Sequence, residues 1–167
     1  MTLRDLFEMD GRVAVVTGSG QGIGRAIALG LADFGCDVVL NSRRVRDLEV
    51  TATEIEKRGR SVLIVQGDIR DFSETLAWRT MERFGRLDIW VNNVGGSDEK
   101  TTRPLVETSD EVFRSQIDLN LTSAFQGCKA AASRMGDAGS IINISSGAGT
   151  RGSPFTGPYA AAKAGMN

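Results

Sequence analysis

Short apolar runs alternate with amphipathic stretches along the chain. The runs are rich in β-branched residues, which is typical of strands buried on both faces of a sheet. The stretches between them carry apolar residues at helical spacing, and most close at a glycine, a residue that ends helices. The predicted strands span residues 12–17, 37–41, 61–66, 87–91 and 140–144. The predicted helices span residues 23–34, 45–58, 71–84 (capped by Asp71) and 110–135, and a last helix opens near Pro158.

This alternation predicts a parallel sheet, because parallel strands are joined by crossovers that are usually helical. Right-handed crossovers then give an α/β fold with a Rossmann-type doubly wound sheet, helices on both faces and strand order 3-2-1-4-5. No linker, repeat or low-complexity segment divides residues 1–167, so we expect one domain. Ligands of such sheets bind beyond the carboxyl ends of the strands where the winding reverses, here between the first and fourth strands.

The long helix predicted over residues 110–135 carries an apolar stripe, which we expect to pack mostly against the sheet. The stripe consists of Val112, Phe113, Ile117, Leu121, Phe125 and Cys128. Residues 129–133 include small side chains that permit close approach of another helix. That helix lies either in the same subunit or in a second copy of the chain.

Residues 17–24, with the sequence T-G-S-G-Q-G-I-G, join the first strand to the first helix. Glycine lets a backbone approach a pyrophosphate closely, and a helix N-terminus offers free N–H groups and the positive end of its dipole. A glycine-rich turn without a ligand is the alternative, because the strict G-x-G-x-x-G spacing does not occur here. The place at the first crossover favours a dinucleotide phosphate site, and the expected contacts are Gly18, Ser19, Gln21, Gly22, Ile23 and Gly24.

Tyr159 and Lys163 are four residues apart, so a helix places both on one face. Tyrosine titrates near pH ~10, and an adjacent ammonium together with the positive charge of an oxidised nicotinamide favours the phenolate. Such a tyrosine can exchange a proton with a carbonyl or alcohol oxygen, and Ser146, at the end of the fifth strand, can hydrogen-bond the same oxygen. The alternative is a surface tyrosine at a helix start beside a solvated lysine.

Composition narrows the function classes further. The chain has no histidine, which excludes histidine acid–base chemistry and histidine metal ligands within it. A net charge of -1 with 25% charged residues is typical of an ordinary globular protein and not of a nucleic-acid-binding or membrane-surface protein. Cys36 and Cys128 are too far apart in sequence for a metal-type pair and are predicted to be buried. No apolar run is long enough to cross a bilayer, and residues 1–10 do not resemble a signal peptide, so we expect a cytoplasmic protein.

Together these residues resemble the short-chain dehydrogenase/reductase family, in its compact single-domain branch. The matching motifs, in chain order, are the T-G-x-x-x-G-x-G loop, Gly67-Asp68, Asn92-Asn93-Val94-Gly95, Asn120, Ser146 and Tyr159-x-x-x-Lys163. Val94 stands where the family usually has alanine, a small steric change.

The resemblance implies a role for each match. Asp68 would contact the adenine with help from the backbone of Ile69, while Asn92 would brace the central strands and, with Gly95, line the cofactor cleft. Asn120 would hold a water that links Lys163 to solvent, and Lys163 would also bind the nicotinamide ribose. The alternatives are a helix cap for Asp68, turn formation for Asn92 and Asn93, and a backbone hydrogen bond for Asn120.

The second predicted strand ends in L-N-S-R-R, which bears on the choice of nicotinamide. An acidic residue near Ser42 would bind the ribose hydroxyls of NAD, but the position is neutral. Arg43 can pair with a 2′-phosphate, and Ser42 can add a hydrogen bond. We therefore predict NADP(H), with NAD(H) as the alternative. Arg43 and Arg44 would otherwise be solvated charges at a helix start, and Gln21 stands where many NADP-preferring relatives have a basic residue.

The resemblance implies a small-molecule carbonyl or alcohol substrate bordered by residues 95–100 and 147–157. Phe155 would form an apolar wall there or pack within its loop. It also implies a homo-oligomer, a dimer or tetramer, assembled through the long helix and the helix of Tyr159. The sequence stops about two turns into that last helix, so we expect that it is truncated there. A truncated, non-catalytic dinucleotide-binding protein or partner subunit is the alternative function.

Overall fold

The computed structural model describes residues 6–167. Its strands are β1 (Val13–Thr17), β2 (Asp37–Ser42), β3 (Val62–Gln66), β4 (Ile89–Asn92) and β5 (Ser140–Asn143). Its α-helices are α1 (Gly22–Asp33), α2 (Val45–Glu56), α3 (Ile69–Phe84), α4 (Asp110–Ile117), α5 (Ser123–Ala132) and α6 (Gly157–Met166). A π-helical segment, Asp118–Thr122, joins α4 to α5, and single 3₁₀ turns cover Leu105–Glu107 and Gly147–Thr150. Within residues 6–167 no helix is long and apolar enough to cross a membrane.

The five strands form one parallel sheet in the order β3-β2-β1-β4-β5, which confirms the predicted topology. Val15 of β1 pairs with Val39 on one side and with Trp90 on the other. Helices cover both faces, and the core accordingly divides into two clusters. One packs Val16 and Leu40 against α1 and α2, and the other packs Val15, Val39 and Trp90 against α3 and α5.

Helix α3 begins three residues earlier than predicted, because Asp71 is not its N-cap. Asp68 is the N-cap, and its carboxylate accepts a hydrogen bond from the backbone N–H of Arg70 at 3.1 Å. Because that cap satisfies a free donor of the first turn, the helix begins at Ile69. Gly85 ends it in the left-handed conformation, at a φ of 70°.

The predicted continuous helix over residues 110–135 is wrong in two respects. The π segment interrupts it, with the N–H of Ser123 bonded to the carbonyl of Asp118 five residues back, and α5 ends at Ala132. The expected apolar stripe also fails in part, because Phe113 and Phe125 are 45% and 65% exposed. A methyl group on Gly127 would collide with the side chains of Asn92 and Trp90, so the inner face of α5 has no room for large residues.

The small residues of α5 instead pack closely against the sheet of the same subunit. Ala130 and Ala131 are completely buried in the core cluster that contains Trp90. Cys36 is likewise buried, as predicted, and burial raises the pKa of its thiol to about 11. Cys128 is half-buried beside Asn92 and Asn143, so the expectation of burial holds for it only in part.

Candidate active site

A cleft of about 980 Å³ opens beyond the carboxyl ends of the strands. The glycine loop, the ends of β2 and β3, the segment after β4 and helix α6 form its walls. The predicted site residues that line it are Gly18, Gln21, Gly22, Ile23, Gly24, Ser42, Arg43, Asp68, Ile69, Gly95, Tyr159 and Lys163. Four other predicted residues, Ser19, Asn92, Asn120 and Ser146, lie outside this wall.

Asn93 attaches the glycine loop to the end of β4. Its Nδ2 donates to the carbonyl oxygens of Thr17 at 2.9 Å and of Gly18 at 3.4 Å, and its N–H donates to the Thr17 hydroxyl at 2.9 Å. A methyl group on Gly24 would strike both Asn93 Nδ2 and the Gly18 carbonyl, so this approach requires glycine. The loop therefore leads into α1 with its backbone at the cleft surface.

Ser19 faces inward instead of toward the cleft, contrary to its predicted role as a phosphate contact. The side chain is completely buried, and its hydroxyl oxygen accepts from the N–H of Asn41 at 3.0 Å. The same hydroxyl donates to the Asn41 carbonyl at 3.4 Å. Ser19 thus ties the glycine loop to β2.

Charged side chains surround the end of β2. Arg44 donates from Nη2 to Gln21 Oε1 at 2.5 Å and forms an ion pair from Nε to Asp47 at 2.7 Å. Arg43 lines the cleft with an exposed side chain, and the Ser42 hydroxyl accepts from the N–H of Arg44 at 3.2 Å. This end of the cleft therefore carries two guanidinium groups and one carboxylate.

Asp68 combines the two roles weighed from the sequence, since it caps α3 and also lines the cleft. Arg70 holds its carboxylate through two side-chain contacts, the shorter being 2.7 Å. This hydrogen bonding lowers the pKa of Asp68, so the group is ionised at neutral pH.

Asn92 ties β4 to the edge strand β5 and to helix α5. Its Oδ1 accepts from the indole N–H of Trp90 at 2.6 Å, and its Nδ2 donates to Asn143 Oδ1 at 2.8 Å and to the Ala124 carbonyl at 3.2 Å. The expectation that Asn92 also lines the cleft is wrong, because successive strand residues point to opposite sides and Asn93 takes that place.

Asn120 lies completely buried on the π segment. Its Oδ1 accepts from the N–H of Gly96 at 2.7 Å, and its Nδ2 donates to the carbonyls of Gln116 and Gly96. A Cβ placed on Gly95 would lie 2.7 Å from Asn120 Oδ1 and 3.1 Å from Lys163 Nζ. Both polar atoms therefore lie so close to Gly95 that a larger residue would displace them.

Helix α6 carries Tyr159 and Lys163 on one face above the cleft. Lys163 is 3% exposed, and its Nζ lies 5.9 Å from the centroid of the Tyr159 ring. The ammonium donates to the carbonyl of Ile144 at 2.8 Å. Burial lowers the pKa of Lys163, because the charged form loses hydration.

Ser146 uses its hydroxyl oxygen as the N-cap of the 3₁₀ turn, accepting from the N–H of Ala148 at 3.2 Å. The hydroxyl proton remains available as a donor after this contact. The neighbouring Ser145 lines the cleft and donates to Asn167 Oδ1 at 2.5 Å. The prediction from the sequence named Ser146 and not Ser145.

Known proteins resemble this chain over most of its length. A family model described as short chain dehydrogenase matches residues 12–167. An uncharacterized oxidoreductase of Mycobacterium tuberculosis is 37% identical over 167 residues, covering 97% of this chain and 62% of the relative. This chain belongs to the short-chain dehydrogenase/reductase family. Within that family, a 3-oxoacyl-(acyl-carrier-protein) reductase of Synechocystis is 38% identical over 160 residues, covering 93% of this chain and 64% of the relative.

Solved structures of the short-chain dehydrogenase/reductase family have the same fold. A dehydrogenase/reductase from Sinorhizobium meliloti superposes with a TM-score of 0.92 at 32% identity, covering 98% of this chain and 66% of that one. Carveol dehydrogenase from Mycobacterium avium in complex with NAD superposes with a TM-score of 0.89 at 33% identity, covering 95% of this chain and 63% of that one. This chain spans less than two thirds of the length of each of these relatives.

The structure adds cleft residues that sequence reasoning did not assign to the site, among them Asn41, Arg44, Asp47, Asn93 and Ser145. Four of them are direct neighbours in sequence of residues that were assigned. Strand and turn geometry decides which of two neighbours faces the cleft, and a one-residue difference reverses the side. The signal for Asn93 was present in the repeated asparagine of the N-N-V-G motif.

Proposed function

We propose that this protein is an NADP(H)-dependent oxidoreductase that interconverts a carbonyl compound and a secondary alcohol. The observation that carries the proposal is that Tyr159 and Lys163 lie on one helix face beside the cleft into which the glycine loop opens. In this family such a cleft is the place of a nicotinamide dinucleotide, whose ring supplies or accepts the hydride when bound.

The walls fit a dinucleotide. The cleft volume lies within the range of ligand pockets. The N-terminus of α1 borders it, and Gln21 at the N-cap gives its side-chain oxygen to Arg44, so the free N–H groups of the first turn suit a pyrophosphate. Lys163 at the other end suits the ribose hydroxyls beside the nicotinamide.

Tyr159 is the proposed general acid and base. Its hydroxyl donates a proton to the carbonyl oxygen in reduction and takes one from the alcohol in oxidation. Lys163 Nζ lies 5.9 Å from the centroid of the Tyr159 ring, and the free hydroxyl proton of Ser146 can bond the same substrate oxygen. Asn120 and Lys163 both lie beside Gly95, and a water held by Asn120 would connect Lys163 onward, as the family resemblance implies.

Two observations bear on the phosphate of the nicotinamide dinucleotide. Arg43 and Arg44 line the end of the cleft beside β2 and can pair with a 2′-phosphate, and Ser42 is neutral, which supports NADP(H). Asp47 lines the same end and offers a carboxylate to ribose hydroxyls, as NAD(H) would require. The NAD complex of the carveol dehydrogenase relative supports this second candidate. Comparison of kcat/KM for NADPH and NADH decides between them, and a clear NADH preference would overturn the NADP assignment.

We further propose that the protein forms homo-oligomers. Phe113 and Phe125 are exposed apolar side chains on the outer surfaces of α4 and α5, where a second copy would cover them. Light scattering of the purified full-length protein measures its mass directly, and a monomer would contradict this assembly. A cytoplasmic location remains a prediction from the sequence.

Replacement of Tyr159 tests the central role. Tyr159→Phe in the full-length protein keeps the ring and removes the hydroxyl, so we expect kcat for reduction of a ketone to fall by about 10²–10⁴-fold. The dissociation constant for NADPH should change little, because the hydroxyl serves the substrate oxygen. Full activity of Tyr159→Phe would refute the assignment, and an unaltered far-UV circular dichroism spectrum controls for folding.

A further inference from the structure

Three side chains form a bridge at the end of the cleft beside β2. Gln21 is the N-cap of α1, Arg44 is the N-cap of α2, and Asp47 lies in the first turn of α2. Arg44 Nη2 donates to Gln21 Oε1 at 2.5 Å, and Arg44 Nε pairs with Asp47 Oδ2 at 2.7 Å. All three residues line the cleft, so the bridge belongs to the wall that a dinucleotide would meet.

Packing holds Asp47 in place as well as its ion pair. A Cβ added to Gly20 would lie 2.8 Å from Asp47 Cβ, so the glycine loop runs directly against this residue. One turn further along α2, the buried Thr51 hydroxyl lies 3.3 Å from the Ser19 carbonyl and 3.1 Å from the Asp47 carbonyl. The helix dipole also favours a negative charge in the first turn. The backbone of Asp47 is therefore fixed beside the loop, and its carboxylate remains in this wall.

The two arginines at the end of β2 differ in what their guanidinium groups already bind. Arg43 is anchored through its backbone, because Gln66 Nε2 donates to its carbonyl at 2.9 Å. Within residues 6–167 the guanidinium of Arg43 has no hydrogen bond or ion pair, so it can meet a ligand without losing a partner. Arg44 has two partners, which occupy Nε and Nη2 along one edge of its guanidinium. Such an edge is what grips a phosphate through two parallel hydrogen bonds.

This difference acts on a 2′-phosphate and not on a ribose hydroxyl. A phosphate next to Arg44 has to compete with Asp47 for the guanidinium, and it also meets the negative charge of the carboxylate. A neutral 2′-hydroxyl needs no cation and is not repelled. The ion pair therefore weakens the binding of a phosphorylated dinucleotide selectively, while Arg43 remains available to the phosphate.

We propose that Asp47 is a positioning residue that holds Arg44 in the bridge and thereby limits the preference of this protein for NADPH over NADH. The inference rests on the proposed function, because it concerns the dinucleotide of the same cleft. An ion pair of this exposure, strengthened by a charge-assisted hydrogen bond, predicts an effect of about three- to tenfold on the ratio of the two dissociation constants.

The test measures dissociation constants of the full-length protein by fluorescence titration with NADPH and with NADH in the absence of substrate. The two dinucleotides differ only in the 2′-phosphate, so the ratio of the NADH constant to the NADPH constant reports its contribution. Asp47→Asn keeps the shape of the side chain and removes the charge. It should tighten NADPH binding about three- to tenfold and leave the dissociation constant for NADH within about twofold.

Asp110→Asn is the matched control. Asp110 also lies in the first turn of a helix and pairs with an arginine, Arg114, at 3.3 Å, but it lies outside the wall of the cleft. Both dissociation constants should therefore equal those of the wild type. In the Arg44→Met background, Asp47→Asn should lose most of its effect, because the guanidinium that it releases is gone.

An unchanged ratio in Asp47→Asn would overturn the proposal. A higher ratio caused by weaker NADH binding would also overturn it, because Asp47 would then bind the ribose hydroxyls directly. The same gain in the Arg44→Met background would show that Asp47 acts on the phosphate without Arg44, which again contradicts the proposal. Full activity of Tyr159→Phe would refute the proposed function alone, since these dissociation constants do not depend on turnover, whereas failure of both dinucleotides to bind would refute both.

Discussion

Replacement of Gly95 by alanine tests the close packing of Asn120 and Lys163 most directly. The added methyl group would lie 2.7 Å from Asn120 Oδ1 and 3.1 Å from Lys163 Nζ. Ordinary contact begins at about 3.4 Å, so Asn120 has to retreat by roughly 0.7 Å. A shift of that size lengthens hydrogen bonds of Asn120 beyond the usual limit of about 3.2 Å.

Two effects then add in the free energy of unfolding. Overpacking of this kind costs about 1–3 kcal/mol, and a weakened hydrogen bond adds about 1 kcal/mol. A change of 2 kcal/mol lowers Tm by about 4–8 °C for a protein of this size or somewhat larger. Since the methyl group also pushes against Asn120 and Lys163, kcat should fall by about tenfold or more.

Differential scanning calorimetry and steady-state kinetics on the full-length protein measure both effects. Gly136→Ala is the matched control, because a methyl group there meets no atom within 4 Å. Its Tm and kcat should equal those of the wild type. A Gly95→Ala protein with wild-type Tm and kcat would refute the reasoning, since it would show that Asn120 and Lys163 do not need this close contact with Gly95.

Two further replacements test the packing around the site. Lys163→Met removes a buried cation whose pKa is lowered by burial, so Tm at neutral pH should rise by roughly 2–4 °C while turnover is lost. Because the folded pKa of Lys163 lies below its unfolded value, the wild type gains stability as pH rises through the folded pKa toward 10.5. The difference in Tm between Lys163→Met and the wild type should therefore narrow over that pH range. A Tm difference that does not depend on pH would contradict this. Gly127→Ala pushes α5 away from Asn92 and Trp90 and should cost about 1–3 kcal/mol in urea unfolding, whereas wild-type stability would show that the helix can move freely.

The sheet and its order could be predicted from the sequence because buried parallel strands have an unmistakable apolar pattern. The interruption of the helix between residues 110 and 135 could not be predicted. Nothing in the pattern of apolar residues marks the extra residue of a π turn such as the one at Asn120. The large side chains of Phe113 and Phe125 favoured a sheet-facing stripe, but a close helix–strand contact selects glycine and alanine instead.

The candidate site was predicted at the level of motifs and less well at the level of single side chains. Ser19 and Ser146 are polar residues in motifs, yet their hydroxyl oxygens accept from backbone N–H groups. Such local hydrogen bonds depend on turn geometry that spacing alone does not give. The partnership of Gln116 with Asn120 follows helical spacing, but their burial depends on the three-dimensional packing.

The three hydrogen bonds from Asn93 to the glycine loop have a consequence for the affinity of the cleft. A loop that orders only when its ligand arrives loses conformational entropy at that moment, and the loss weakens binding. Here Thr17 and Gly18 are already fixed to the neighbouring strand before any ligand binds. Pyrophosphate recognition should therefore proceed on a rigid surface, with little of the binding energy consumed in arranging the loop.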